Sequence, residues 1–389
     1  MTVTAPGGFV AAGTHCGIKP SGDPDLALVA SADGRPVTAA ATFTANKMTA
    51  APVQISAAHL RASAGRAAAV ILNSGNANAA TGAPGRADAE AMCAAVAADL
   101  GCDAADVLVC STGLIGIPLP IDTVLAGIPD LVRSRAADGG AAAAEAIRTT
   151  DTHAKQVEVP VAGTGAVVGG MAKGAAMLAP NMATMLAVLT TDAQVDGAAL
   201  QRMLRAGVAS SFNVLMTDAC QSTNDTVIAL ASGTAGPVAE AALEEAVAAA
   251  CVDLAAQMAG DAEGATKVVQ LTVTGAADDG DAGAGARQIA RSALCKCSWY
   301  GQDPYWGRLA SELGSAGIEF DQERISVAYG DTVVAAGGVT IAHDEAAVAA
   351  HMAQRHLTIT CDLGLGTGTA TVLTNDLTHA YIDENTGGS

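Results

Sequence analysis

Short apolar runs alternate with helically spaced apolar positions in the first part of the chain. Residues 38–44, 67–72 and 107–110 are short and apolar, which predicts buried strands. Residues 87–100 carry Ala, Met, Val and Leu at helical spacing, and Gly101 follows them as a helix stop. This alternation predicts an α/β fold, whereas the absence of a long parallel βαβ periodicity argues against a Rossmann domain.

The same alternation continues in the second part of the chain. Residues 184–189 form a short apolar run that leads into β-branched threonines, which predicts a buried strand. Residues 239–258 are rich in alanine and predict a long helix, with Glu244 and Glu245 on its exposed side.

A change of composition marks the predicted domain boundary. Residues 275–285 are rich in glycine and acidic residues, which is typical of an exposed linker. Further along, the glycine-rich residues 364–368 predict a hairpin turn. We expect a catalytic α/β domain over residues 1–274 and a smaller C-terminal α+β domain over residues 287–389.

Residues 169–192 form the most distinctive stretch. It begins rich in glycine and nearly uncharged, with Lys173 as its one cation, turns at Pro180-Asn181, and runs apolar from Thr184. A hydroxyl at the start of a buried strand, directly after a turn, is well placed for a nucleophile. An Ala-Thr step before an apolar run more often marks only a strand start, so these residues alone leave both interpretations open.

Four polar segments are further candidates for a site. Residues 73–82 and 111–116 each follow a predicted strand, and Gly113 would let backbone amides approach a ligand closely, as an oxyanion site requires. Thr149 lies at the end of a helical run, where hydroxyls usually form caps. Residues 261–264, Asp-Ala-Glu-Gly, form a turn before a strand. Taken singly, each segment is also explained as an ordinary surface loop.

Charge and composition exclude several classes of partner. The chain has 20 Lys and Arg against 39 Asp and Glu, a net charge of −19, which disfavours nucleic-acid binding. No stretch of about 18 residues is apolar enough to predict a membrane span, and the amino terminus lacks the pattern of a secretion signal. We therefore expect a cytoplasmic protein. An acidic substrate would need a local cation, for which Lys173 is one candidate.

The cysteines do not form a metal-binding pattern. There are nine of them, with no CxxC pair, and Cys295-Lys296-Cys297 predicts two thiols on one side of a strand or turn. Zinc would require a second ligand pair at suitable spacing. We expect reduced thiols.

Together these motifs resemble the ornithine acetyltransferase family of arginine biosynthesis, whose members are also called glutamate N-acetyltransferases. The resemblance extends from Gly8 to Asn385, and the stretch 169–192 is similar to the family's self-cleavage signature. It implies a layered α/β sandwich of the self-cleaving threonine-nucleophile aminopeptidase/ornithine acetyltransferase type. It also implies autocatalytic cleavage between Ala183 and Thr184 into fragments 1–183 and 184–389.

The resemblance assigns roles to matching residues. Thr184 would be the nucleophile, and Thr112 and Gly113 would form the oxyanion hole. The implied substrate contacts are Thr149, Lys173, Thr184, Glu263, Asn385 and Ser389. Lys173 could anchor a substrate carboxylate or act on the site electrostatically. Glu263 could attract the substrate's ammonium group or carry a proton to the leaving amine.

The implied reaction is a ping-pong acetyl transfer. A threonine hydroxyl needs a base, and the new α-amine of Thr184, with an ordinary pKa near 8, can serve. N-acetylornithine would acylate Thr184 and release ornithine, and glutamate would accept the acetyl group; some family members also use acetyl-CoA. No metal or organic cofactor is implied. The family forms dimers of processed pairs, so we expect a heterotetramer.

Two departures from the family keep alternatives open. Tyr305 stands where the family carries asparagine, and the tail from Glu384 to Ser389 is one residue short and lacks a tyrosine. A paralogue with a different amine acceptor is one alternative. A related amino-terminal-nucleophile hydrolase is another, and a catalytically silent binding protein is a third.

Overall fold

A computed structural model of the protein describes residues 2–179 and 185–386. Ala183, Thr184 and Ser389, all predicted site residues, therefore lie outside the described residues. The chain forms two compact units. The first comprises Met1–Ala175, Asn181–Asn213 and Gln221–Met258, and the second comprises Ala176–Pro180, Val214–Cys220 and Ala259–Ser389.

The elements follow the chain in this order. In the described residues the strands are β1 (Phe9–Thr14), β2 (Leu26–Ser31), β3 (Val37–Phe43), β4 (Arg66–Ala67), β5 (Ala69–Asn76), β6 (Val107–Leu114), β7 (Lys155–Pro160), β8 (Val167–Lys173), β9 (Leu186–Gln194), β10 (Leu215–Met216), β11 (Thr226–Pro237), β12 (Val268–Ala276), β13 (Ser326–Tyr329), β14 (Thr332–Ala336), β15 (Val339–Thr340), β16 (His356–Asp362) and β17 (Gly368–Asn375). The α-helices are α1 (Ala51–Ala62), α2 (Gly82–Leu100), α3 (Ile121–Arg133), α4 (Gly140–Ala146), α5 (Gly197–Ala209), α6 (Glu240–Gly260), α7 (Asp279–Ala290), α8 (Ala293–Tyr300), α9 (Trp306–Gly314), α10 (Glu345–Met352) and α11 (His379–Glu384).

The first unit contains two sheets. One has the order β1-β2-β5-β6, and the other has the order β4-β3-β11-β9-β8-β7. In the second sheet, β9 lies between β11, to which it is parallel, and β8, to which it is antiparallel. The predicted buried strand after residue 184 is therefore confirmed from Leu186 onward, at the centre of its sheet.

Alternating strand residues build the cores of the first unit. Val29 and Val70 face a core shared by the two sheets, whereas their neighbours Leu28 and Ile71 face a second core formed with α2 and α3. On the outer side of the six-stranded sheet, the side-chain amide of Gln201 in α5 donates to the carbonyl of Ala41. The resulting helix–sheet–sheet–helix order confirms the predicted layered α/β sandwich.

The second unit is built on a seven-stranded sheet of order β10-β17-β12-β16-β13-β14-β15. β16 and β17 both pair with β12 and not with each other, so the predicted hairpin at residues 364–368 is wrong. These residues instead connect two strands that lie on opposite sides of β12. The side chains of Trp299 and Tyr329 fill the core of this unit.

Two further sequence predictions fail in the second unit. The predicted linker at residues 275–285 is instead the end of β12 followed by α7, whose small residues Ala282 and Ala286 are fully buried. Small residues in that segment serve close helix packing, not exposure. Cys295 and Cys297 lie in α8, where helical geometry turns them apart: Cys295 is buried and Cys297 is exposed.

No helix within residues 2–179 and 185–386 is both long and apolar enough to cross a bilayer. The nine cysteines all fall within those residues, and each is a free thiol.

Candidate active site

The predicted oxyanion residues lie on a strand. β5 and β6 run parallel and continue through Asn76 and Leu114, so the predicted loops 73–82 and 111–116 begin inside the sheet. Thr112 is buried there. Gly113 has φ +130°, and a Cβ on it would come 2.3 Å from the carbonyl carbon of Gly75. Only glycine permits this strand contact.

Lys173 lies beside Thr112. It is the last residue of β8, it is buried, and its Nζ donates to the Oγ1 of Thr112 across 3.3 Å. An ammonium group can donate hydrogen bonds but cannot accept them, so the threonine oxygen is the acceptor here. The Thr112 hydroxyl proton therefore stays available for another acceptor, which is the arrangement an oxyanion donor needs.

Asp151 organises the surroundings of Lys173, and the sequence analysis missed it. Its Oδ1 accepts from the Nζ of Lys155 at 2.6 Å and from the amide of Gly174 at 2.7 Å. Its Oδ2 accepts from the amide of Thr149 at 3.1 Å and lies 3.9 Å from the Nζ of Lys173. The predicted substrate residue Thr149 and the predicted cation are thus joined through one carboxylate.

The charges of this cluster are buried. The side chains of Asp151 and Lys155 are fully inaccessible. Burial by itself would raise the pKa of Asp151, but Lys173 and Lys155, together with the hydrogen bonds it accepts, hold that pKa well below its usual range. Asp151 is therefore a carboxylate, and two ammonium groups around one carboxylate leave a local positive charge in a chain of net charge −19.

One signal in the sequence would have pointed to this cluster. Lys155 begins β7, and it alternates with Val157 on the buried side of the strand. An inward-facing lysine in an alternating strand requires a buried counter-charge, since an unpaired buried ammonium is very costly. Glu158, three positions later, lies at an exposed position of the same strand, whereas Asp151, four positions earlier, is the buried partner.

The Ser-Thr-Asn-Asp motif at residues 222–225 connects several segments. The side-chain amide of Asn224 donates to the carbonyls of Ala77, at 2.6 Å, and Ser111, at 2.8 Å. It thereby holds the two polar segments after β5 and β6 together.

Asp225 lies next to the start of β9. Its Oδ1 accepts from the amide of Met185 at 3.0 Å, and its Oδ2 has no hydrogen-bond partner within the described part of the chain. Burial raises the pKa of Asp225 well above its usual value, and the amide of Met185 and the charge of Lys173 only partly oppose this. The Asp225 side chain therefore keeps its proton to a higher pH than an exposed carboxyl group does.

Glu263 and Asn385 come together in the second unit. The side-chain amide of Asn385 donates to the Oε2 of Glu263 at 2.8 Å. Gly264, at φ +61°, lets this turn pack against the start of α11, because a Cβ there would lie 2.3 Å from the amide nitrogen of Tyr381. Thr378 fixes the same contact, its hydroxyl donating to the carbonyl of Gly264 at 2.7 Å.

A second cluster in this unit surrounds Asp218. Its Oδ2 accepts from the amide of Met177 at 2.6 Å and from the hydroxyl of Tyr381 at 3.4 Å. Burial raises the pKa of Asp218, partly opposed by its hydrogen bonds and by the charge of Lys296. Met177 has φ +53°, an unusual backbone conformation for a large side chain.

The structure thus places the predicted residues in two groups. Thr112, Gly113, Thr149 and Lys173 gather in the first unit, and Glu263 and Asn385 gather in the second. Tyr305, one of the departures from the family, is exposed, with the Arg308 guanidinium carbon 5.7 Å from its ring centroid. Within residues 2–179 and 185–386, no three His, Cys, Asp or Glu side chains converge as a metal site would require.

Comparisons with known proteins extend over the whole chain. The model of the ArgJ family matches residues 10–387. The arginine biosynthesis bifunctional protein ArgJ of Mycolicibacterium paratuberculosis is 50% identical over 395 residues, covering 100% of this chain and 96% of the relative. The protein of the same name from Thermobifida fusca is 47% identical over 390 residues, covering 100% of both chains.

Similarity extends to solved structures. One example is the crystal structure of ornithine acetyltransferase complexed with ornithine from Mycobacterium tuberculosis, 49% identical in sequence, with a TM-score of 0.44. The match covers 46% of this chain and 94% of that one. With a family model matching nearly all of its residues and relatives about half identical over its full length, this chain belongs to the ArgJ family.

Proposed function

We propose that the protein is an ornithine acetyltransferase, a glutamate N-acetyltransferase of arginine biosynthesis. It moves the acetyl group of N-acetylornithine to glutamate by way of an acetylated Thr184. The observation that carries this proposal is the full-length identity of about half to arginine biosynthesis bifunctional proteins. The buried Thr112–Lys173 contact supports it independently, since it supplies an oriented hydroxyl donor for acyl transfer.

The first step of the proposal is maturation. The hydroxyl of Thr184 attacks the carbonyl of Ala183, the peptide nitrogen leaves as the amine of Thr184, and water hydrolyses the resulting ester. Fragments 1–183 and 184–389 result, and Thr184 gains a free α-amine. That amine, with an ordinary pKa near 8, then accepts the hydroxyl proton during acetyl transfer.

In turnover, the Thr184 hydroxyl attacks the acetyl carbonyl of N-acetylornithine, and ornithine leaves. The Thr112 hydroxyl and the Gly113 amide stabilise the oxyanion of the tetrahedral intermediate. Glutamate then attacks the acetyl ester and releases Thr184. The positive cluster around Lys173 favours acidic substrates near this site, which the overall charge of the chain would otherwise repel.

The remaining assignments rest on the resemblance to the family. Thr149 contacts the substrate from its place in the Asp151 network, and Glu263 and Asn385 are further substrate contacts. Glu263 either attracts the substrate's ammonium group or carries a proton to the leaving amine. Ser389 supplies a contact from the carboxyl terminus. The acceptor could differ from glutamate, because the shortened tail and Tyr305 depart from the family pattern.

Mass spectrometry tests the chemistry directly. Incubation with N-acetylornithine and no acceptor should add one acetyl mass to fragment 184–389, and glutamate should then discharge it as N-acetylglutamate faster than water forms acetate. The Thr184→Ala variant should remain a single uncut chain. A label on another residue would contradict the mechanism, and discharge only to water would instead indicate a hydrolase.

Two further parts of the proposal have separate tests. We infer a heterotetramer of two processed pairs, and light scattering that gives a single processed pair would contradict it. We also infer a second activity, N-acetylglutamate synthesis from acetyl-CoA, because the curated relatives are named bifunctional. Failure of acetyl-CoA to acetylate fragment 184–389 would restrict the enzyme to the first activity. As a biosynthetic enzyme it is proposed to act in the cytoplasm.

A further inference from the structure

The Asp151–Lys155 pair is a buried ion pair with an unusual set of neighbours. It lies between β7 and the end of β8, and both of its side chains are fully inaccessible. Three groups near its carboxylate belong to segments with a proposed function: the amide of Thr149, the amide of Gly174 and the ammonium group of Lys173. A buried ion pair is a weak source of stability, so its presence at this place calls for another explanation.

The distances around Lys173 show how the pair acts. The Lys173 ammonium lies 3.9 Å from the Asp151 carboxylate, outside direct hydrogen-bond contact, and 3.3 Å from the Thr112 hydroxyl. The stronger contact of the carboxylate goes to Lys155, at 2.6 Å. Lys155 and the amide of Gly174 bind the Oδ1 of this carboxylate, and the amide of Thr149 binds its Oδ2. Both oxygens that could draw Lys173 away from Thr112 are therefore engaged, while the negative charge still favours the ammonium form of Lys173.

We propose that Asp151 and Lys155 are positioning residues that keep the Lys173 ammonium protonated and directed at Thr112. The inference rests on the proposed acyl-transfer function and adds a control element to it. Through the amides of Thr149 and Gly174, the same carboxylate also fixes the substrate segment and the chain that leads to the cleavage bond.

The balance of charge at Lys173 involves groups on several elements. Besides Asp151, both Lys19 and Asp225 interact electrostatically with Lys173. Lys19 adds positive charge, and burial raises the pKa of Asp225, whereas the pKa of Asp151 is lowered. Among these three groups, Asp151 is therefore the carboxylate that favours the ammonium form of Lys173. Removal of its charge should therefore release the Lys173 proton at a lower pH.

Three variants separate charge from structure. Asp151→Asn removes the counter-charge and keeps the shape, Lys155→Met removes the competing ammonium, and the double variant removes both. Asp130→Asn, in the exposed pair with Arg133 on α3, is a matched control. The rate of Thr184 acetylation is measured from pH 6 to pH 10 with 4-nitrophenyl acetate, a probe that needs no recognition of the natural substrate.

The expected result is a shift in the pH profile. In Asp151→Asn the rate of Thr184 acetylation should fall about tenfold at pH 9, because the alkaline limb of the pH profile should shift to lower pH by about one unit. In Lys155→Met the alkaline limb of the pH profile should stay in place or move to higher pH, because a positive charge near Lys173 is removed. The alkaline limb of the double variant should lie between those of the two single variants. Asp130→Asn should match the wild type.

Other outcomes would overturn the inference. A uniform loss at every pH in Asp151→Asn, with an unmoved limb, would mean that the pair only supports the fold. Wild-type behaviour of all three variants would mean that it has no role. If the wild type reacts with 4-nitrophenyl acetate but transfers no acetyl group from N-acetylornithine, the proposed function fails while this test stays valid. If Asp151→Asn does not fold, the pH profile of the double variant is used instead. The double variant leaves no unpaired lysine buried at residue 155.

Discussion

The Nζ of Lys173 lies 3.3 Å from the Oγ1 of Thr112, although the two residues are 61 positions apart in the chain. The contact joins the end of β8, just before the cleavage segment, to the end of β6, where the oxyanion residues were predicted. Because the lysine can only donate, the contact fixes the threonine oxygen as acceptor and leaves its proton for a substrate oxygen. The proposed chemistry depends on this orientation.

Thr112→Val should slow acetylation of Thr184 while preserving the fold. Valine matches threonine in shape but cannot donate to an oxyanion, and loss of one such donor costs about 10²–10³ in rate. Thr112→Ser keeps the hydroxyl and serves as control. The measurement is the single-turnover rate of acetyl addition to fragment 184–389. Equal rates for the valine and serine variants would show that the Thr112 hydroxyl does not stabilise the oxyanion.

Gly113→Ala should destabilise the protein as well as impair catalysis. The added Cβ would meet backbone atoms of Gly75 and Asn76 at 2.3–2.7 Å, so β5 and β6 would have to separate. A loss of about 2 kcal/mol or more in the free energy of unfolding is expected. Gly165→Ala is the control, since nothing lies within 4 Å of its Cβ position. Denaturant unfolding of both variants measures the difference, and similar stabilities would contradict the prediction.

Asp225→Asn should change how stability depends on pH. The pKa of Asp225 is raised in the folded chain, so the folded state keeps a proton that the unfolded chain loses above about pH 4. Wild-type stability should therefore fall as pH rises from about 4 toward the folded pKa, by up to about 1.4 kcal/mol per pH unit. Asparagine cannot ionise and still accepts from the amide of Met185.

The stability of Asp225→Asn relative to Asp225 should thus increase with pH across that window. Both forms are compared in the uncut Thr184→Ala background, because cleavage would add a new amine beside Met185. Thermal unfolding from pH 4 to pH 8 gives the measurement. A constant difference over that range would show that Asp225 is ionised in the folded chain.

Glu263→Gln should lower kcat/KM for N-acetylornithine by about tenfold or more, since an ionised group is lost from the proposed site. Asn385→Ala should show a smaller loss in the same parameter, because it removes the hydrogen bond that orients Glu263 and a neutral substrate contact, but no charge. If Glu263 transfers a proton, the variant should mainly have a lower kcat. If Glu263 pairs with the substrate's ammonium group, the variant should mainly have a higher KM. Unchanged kinetics in Glu263→Gln would exclude both roles.

The sequence by itself determined the local elements and the family. Helix α2 ends at Leu100, directly before Gly101, and β9 is buried. Both features could be predicted because hydrophobic periodicity and helix-stop residues involve only positions that are close in the sequence. The resemblance to the ornithine acetyltransferase family is confirmed by the family match over residues 10–387. It also selected Lys173 and Thr112, which the fold brings into contact.

Only the tertiary structure decided what depends on distant partners. Residues 73–76 and 111–114 have polar, loop-like sequences but are strands, since each supplies the other with backbone hydrogen bonds. Residues 279–285 have the composition of a linker but form part of a helix, because their small side chains fit against a sheet. Asp151 and Lys155 depend on distant partners in the same way. The alternation of Lys155 with Val157 indicates locally that a buried counter-charge is needed, but the residues that balance the pair are brought together only in folding.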